Sequence, residues 1–112
     1  MTYADFFAEI RGKFMEADVS DIPEHLAYQF NITGEASGIF YVEVKEGVLY
    51  VEPYEYYDRD AMFTADADTL LKIAEGKLDP MKALALRKLK FEGDAGKAMR
   101  LNQLIESKRK KA

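Results

Sequence analysis

Cysteine is absent from the 112 residues. Disulfides and thiolate metal sites are therefore excluded, and the absence points to a reducing compartment. Histidine occurs once, at His25, and no partner stands at a spacing that would build a catalytic triad or an imidazole metal site around it. No apolar run approaches the roughly 20 residues that a membrane span needs, and the N-terminus has no secretory signal pattern. Surplus basic charge is missing too: the net charge is −4, which argues against a nucleic-acid partner. The deficit is uneven, because Lys108-Arg109-Lys110-Lys111 at the end carry four positive charges and leave residues 1–107 at −8.

What is present belongs to a folded globule, with 48% apolar and 32% charged residues. The length suits a single domain over 1–112 with one core, since about two-thirds of the unfolded surface is buried at this size. In "TYADFFAEIRGKFMEAD" the residues Phe6, Phe7, Ile10, Phe14 and Met15 recur at helical spacing, which predicts a helix over 3–17 with one apolar stripe. Pro23 separates it from a stretch of period two, where Leu26, Tyr28, Phe30 and Ile32 alternate with smaller or polar residues. "IFYVEVKEGVLYVEP" is a hairpin turning at Lys45-Glu46-Gly47, with Phe40, Val42 and Val44 on one face of its first arm. "AMFTA" is a fourth strand.

Asp66 or Asp68 caps a helix over 67–75 that Gly76 ends, and Asp79-Pro80 opens another over 80–86. "RKLKFEGD" alternates again, with Leu89 and Phe91 on one face of a strand over 88–92. Gly93-Asp94 then starts a last helix over 94–107. The order is α-β-β-β-β-α-α-β-α. The meandering strands predict a mostly antiparallel sheet with one face covered.

The run "DADTLLKIAEGKLDPMKALALRKLKFEGDAGKAMRLNQLI" resembles the signature half of the sterol carrier protein 2 family. The shared pattern is a capped helix ending in Gly-Lys, a Pro-started apolar helix, a Lys-Leu-Lys strand, and Gly-Asp opening a helix that ends in a basic residue and Leu. The hairpin "FYVEVKEGVLYVEP" and Asp60 ahead of the fourth strand also fit, so the resemblance spans about 25–105, with a basic tail at 106–112. It implies an α+β fold with a five-stranded sheet covered on one face by helices, and a hydrophobic cavity between sheet and helices that takes a fatty-acyl, acyl-CoA, phospholipid or sterol-like ligand, with no catalytic residue and no cofactor. It further implies a stand-alone, prokaryotic, cytoplasmic member: the chain ends in Lys-Lys-Ala, not in a peroxisomal Ser-Lys-Leu type address.

Cavity-facing positions follow from the buried face of each element: Phe40, Val42, Phe63, Leu71, Met81, Leu84, Phe91 and Met99 are expected to line one connected apolar volume. An empty pocket of 300 Å³ would cost about 7 kcal/mol at roughly 24 cal/mol per Å³, against a total stability of roughly 5–15 kcal/mol. The cavity is therefore expected to be filled, or closed over when empty, and methionines at 81 and 99 suit walls that repack.

Other residues carry plainer readings. His25 is read as structural. Glu52, Glu55, Asp58, Asp60, Asp66 and Asp68 lack the Asp-x-Asp-x-Asp-Gly spacing of a calcium loop, and no metal is expected. Tyr50, Tyr54, Tyr56 and Tyr57 suit a polar-ended pocket, a partner surface or cross-strand packing on the sheet's exposed face. The basic tail offers transient contact with anionic headgroups at about 1 kcal/mol per charge, against the plainer reading of a solvated terminus. The rival to lipid carriage is a protein-interaction module of the same fold with a filled core, binding through the tyrosine-rich face or the acidic edge. Ligand identity and oligomeric state stay open.

Overall fold

The computed structural model describes residues 1–109, and their side chains as far as Ile105. The elements are α1 (Tyr3–Phe14), β1 (Leu26–Thr33), β2 (Gly38–Lys45), β3 (Val48–Glu52), β4 (Ala61–Asp66), α2 (Ala67–Ala74), α3 (Pro80–Ala85), β5 (Lys90–Gly93), α4 (Ala95–Ala98) and α5 (Arg100–Arg109). The strands lie in the order β3-β2-β1-β4-β5. Three of the four pairings are antiparallel, and β4 joins β1 in parallel, so the sheet is mixed.

Helix boundaries follow local chemistry. Thr2, Asp66, Asp79 and Asp94 accept N–H bonds two or three residues on, as N-caps do. Asp66, not Asp68, caps α2; its carboxyl is held below the usual range chiefly by the Thr69 N–H and hydroxyl. The helix predicted over 3–17 ends at Phe14 and tightens into i→i−3 turns through Ala17. The single helix predicted over 94–107 is two helices broken at Met99. Asn102 N–H reaches back to the Met99 carbonyl in a tight turn, and Leu101 becomes buried while Met99 stays exposed.

The core is built on one sheet face. Register sets Phe40 beside Phe30, Phe30 beside Phe63, and Phe63 beside Phe91. These rings form a ladder across four strands, with centroids 4.9, 5.4 and 6.1 Å apart. Helix α1 covers the Phe40 end with Phe6, Phe7 and Phe14. The Tyr3 ring lies on Gly38, where a Cβ would meet ring carbons at 2.2 Å.

The outer face is not bare. From β3 the chain crosses to β4 over it, and Tyr56 donates its N–H to Gln29 Oε1 (3.1 Å) and its hydroxyl to Glu43 Oε2 (2.6 Å). Gln29 and Glu43 are buried beneath this crossing. Among the described residues, no helix is long and apolar enough to cross a membrane.

Candidate functional site

Because α1 covers the Phe40 and Phe30 rungs of the ladder, the Phe63 and Phe91 end needs another roof. It receives α3 and the α4–α5 corner, and they do not close completely. A groove of about 200 Å³ remains, lined by Phe63, Pro80, Met81, Leu84, Leu89, Phe91, Ala95, Ala98, Met99, Leu101 and Asn102. Among the described residues, Asn102 is the one polar side chain in that wall. A surface so poor in hydrogen-bonding groups can select an apolar body and little else.

Each wall has a fixed mount. Helix α3 starts from the Asp79 cap with Pro80 at its first turn. It ends in a double turn in which Arg87 N–H bonds the Leu84 carbonyl and Lys88 N–H the Ala83 carbonyl. Helix α4 is tied to the sheet by Asp60: its carbonyl accepts Asp94 N–H at 2.8 Å, and Oδ1 pairs with Lys97 Nζ at 3.1 Å. The buried Tyr28 hydroxyl donates to the Lys97 carbonyl at 2.6 Å. Burial first, then the charges of Asp60 and Glu24, push that phenol's pKa above the ordinary tyrosine value. Close approach at the corner requires Gly93, at φ +116, because a Cβ there would stand 2.5 Å from the Asp60 carbonyl.

Of the residues expected to line one volume, Phe63, Met81, Leu84, Phe91 and Met99 are brought together around this groove. Phe40 and Val42 are not: both are completely buried. Phe40 is stacked on Phe30 and covered by α1. Leu71 borders a separate recess with Ala36, Asp66 and Asp68. The groove itself lies over the β4–β5 half of the sheet. Sequence reasoning passed over Pro80, Leu89, Ala95, Ala98, Leu101 and Asn102. Leu89 shares the period of Phe91, a usable signal, whereas the two alanines matter only because they leave space.

The polar groups on the opposite face form a separate cluster. His25 Nε2 lies 2.7 Å from the same Glu43 oxygen that Tyr56 engages. The bond to Glu43, then desolvation, holds the Tyr56 phenol up at about 12. Both side chains, His25 and Tyr56, converge on the Glu43 carboxylate beneath the β3–β4 crossing, and the cluster fastens that crossing. Among the described residues no group of three or more acidic or histidine side chains is placed to hold a metal. Asp60 and Asp66 are engaged in the staple and cap already described. Tyr54 and Tyr57 are exposed. The basic tail at 106–112 lies outside the residues whose side chains are described.

The model of the SCP-2 sterol transfer family matches residues 7–106. Hydroxysteroid dehydrogenase-like protein 2 of Xenopus tropicalis is 33% identical over 79 residues, covering 70% of this chain and 19% of the relative. The chain therefore spans about a fifth of that relative's length. The palmitated SCP2L2 protein of Aedes aegypti is 25% identical with a TM-score of 0.65, covering 94% of this chain and 95% of that one. The Pseudomonas sec-alkylsulfatase Pisa1 gives a TM-score of 0.70 at 20% identity, over 80% of this chain and 14% of its own, which shows the fold alone.

Proposed function

The chain belongs to the SCP-2 sterol transfer family, and from that premise we propose that it is a non-catalytic lipid carrier. It holds the apolar part of a fatty-acyl, acyl-CoA, phospholipid or sterol-like ligand between β4–β5 and the α3–α5 roof. The observation that carries this reading is the groove itself, floored by two rungs of the phenylalanine ladder and, among the described residues, polar at a single side chain. Phe63, Met81, Leu84, Phe91 and Met99 are its proposed contacts. The palmitated state of the Aedes aegypti relative makes a long-chain fatty acid the first ligand to test. Cysteine-free composition fits work in a reducing cytoplasm. The dehydrogenase-like relative is matched over too little of its length to bring its activity here.

Size sharpens the proposal. The groove's 200 Å³ is below the roughly 300–1,000 Å³ typical of pockets for small molecules. A long chain would enter only as the roof moves, and Met81 and Met99, both exposed at the rim, are unbranched side chains that rearrange at little cost.

The test is thermal unfolding of delipidated protein against a panel of fatty acids, acyl-CoAs, phospholipids and sterols. Saturation at about 100 times the dissociation constant should add roughly 2.7 kcal/mol, which raises the midpoint by several degrees at roughly 4 °C per kcal/mol. Leu84→Trp or Met99→Trp should shrink this ligand-dependent rise. A midpoint unmoved by every member of the panel would overturn the reading in favour of partner binding through the exposed tyrosines.

A further inference from the structure

We propose, on the basis of the lipid-carriage reading, that Met81 and Met99 are oxidation sites at which hydrogen peroxide unloads the groove. The chain holds five methionines and no cysteine, so no thiol competes and thioether sulfur is what a peroxide meets first. Met81 and Met99 are 57% and 65% exposed, and both line the groove. Met81 stands in the first turn of α3 and Met99 closes α4, so each of two roof elements carries one open sulfur.

The other three methionines are placed differently. Met1 and Met15 are exposed, but neither borders the groove. Met62 is half-buried on the outer face, where its sulfur accepts from Asn31 Nδ2 at 3.1 Å and Gln29 Nε2 at 3.6 Å. A backbone donor fixes that arrangement. Tyr56 N–H takes Gln29 Oε1, which turns Gln29 Nε2 toward Asn31 Oδ1 and leaves Asn31 Nδ2 for the sulfur. Lone pairs engaged by N–H donors are less available to attack a peroxide. The two groove sulfurs have no such cover among the described residues.

In the oxidation, a thioether lone pair attacks one oxygen of hydrogen peroxide. An S–O bond forms, the O–O bond breaks, and the hydrogen on the transferred oxygen leaves with the departing hydroxide as water. Sulfur loses two electrons and the peroxide gains them, so no further reactant is needed. The product sulfoxide puts a polar acceptor where a deformable apolar contact stood. Among the described residues, the wall offers only Asn102 as a side-chain donor. Hydrocarbon pressed onto the sulfoxides strips their water with little in return, so the oxidised rim favours the empty groove. Methionine sulfoxide reductases, one for each epimer, restore the thioethers. Unloading is thus reversible.

Full-length, delipidated protein is treated with hydrogen peroxide, desalted, and titrated with palmitate by calorimetry. Peptide mass spectrometry reads the oxygen gained at each methionine. Met81 and Met99 should gain it well before Met62, and affinity should fall at least about tenfold as they do. Both reductases together should restore it. Met81→Leu combined with Met99→Leu, whatever its starting affinity, should show no peroxide-dependent fall. Met15→Leu combined with Met62→Leu should show the full one. If the first variant binds nothing, the match between lost affinity and oxidation at positions 81 and 99 decides. Untreated protein that takes up no palmitate overturns the fatty-acid reading of the groove, and unloading with it. Unloading alone is overturned if untreated protein binds and oxidation of Met81 and Met99 leaves affinity unchanged. It is also overturned by a fall that follows Met1 or Met15, or that persists once both groove methionines are replaced.

Discussion

Asp60 shows how much one side chain can fix. Its N–H donates to the Ala27 carbonyl and its Oδ2 accepts Ala27 N–H, while Oδ1 and its carbonyl hold Lys97 and Asp94. The start of β4 is thereby locked to β1 on one side and to α4 on the other. Asp60→Ala leaves a part-buried N–H without its acceptor and should cost about 2 kcal/mol in urea unfolding; Asp60→Asn, which keeps an acceptor, should cost less. Glu43 does comparable work on the outer face, and there the readout is optical. Tyr56 should titrate near 12 by ultraviolet absorbance, and Glu43→Gln should bring it back toward the ordinary tyrosine value. Because the folded-state pKa is raised, the Tyr56 contribution to stability is complete below pH of about 10 and is lost as pH climbs from there through the folded value. A Tyr56 that ionises with the exposed tyrosines would refute the bond. His25 was legible as structural from its lack of spaced partners, but its actual partners, Glu43 and Tyr56, are 18 and 31 residues away.

At the scale of elements, glycine positions give a paired prediction. Gly93→Ala places a Cβ against the Asp60 carbonyl at φ +116 and should destabilise by roughly 1–3 kcal/mol. Gly12→Ala, inside α1 with nothing within 4 Å of the new Cβ, should stabilise by roughly 0.5–1 kcal/mol. Calorimetry of the two variants decides both; equal and small effects would mean that the corner at Gly93 is looser than described. Helix starts were readable because Asp79-Pro80 and Gly93-Asp94 are local signals acting over three residues. The parallel partnership of β1 and β4 was not. Alternation tells which way a side chain faces but not which strand lies beside it, and the contacts that decide, Ala27 with Asp60 and Phe30 with Phe63, join residues 33 apart. The break at Met99 was hidden as well, since Ala95, Ala98, Met99 and Leu101 suit one helix on period alone.

For the whole molecule, five of the eight positions marked by period border the groove and three do not, for one physical reason. Period marked Phe40, Val42, Phe63 and Phe91 alike as inward-facing, and it carries no information on which part of the sheet α1 covers. Packing of Phe6, Phe7 and Phe14 onto Phe40 turned one end of the ladder into solid core and left the other to a thinner roof of α3 and α4. The strand order β3-β2-β1-β4-β5 has a consequence during synthesis. When the hairpin of β2 and β3 has emerged, β1 is paired on one side only, and its other edge awaits residues 61–66. At roughly 5–20 residues per second the ribosome takes about 1–3 s to deliver them. For that interval the nascent chain presents an open strand edge flanked by Tyr28, Phe30 and Ile32, the kind of template that pairs with a neighbouring copy. A pause while residues 53–66 are leaving the ribosome should therefore raise the aggregated fraction more than a pause of the same length once Gly93 has left it, where every strand has its partner.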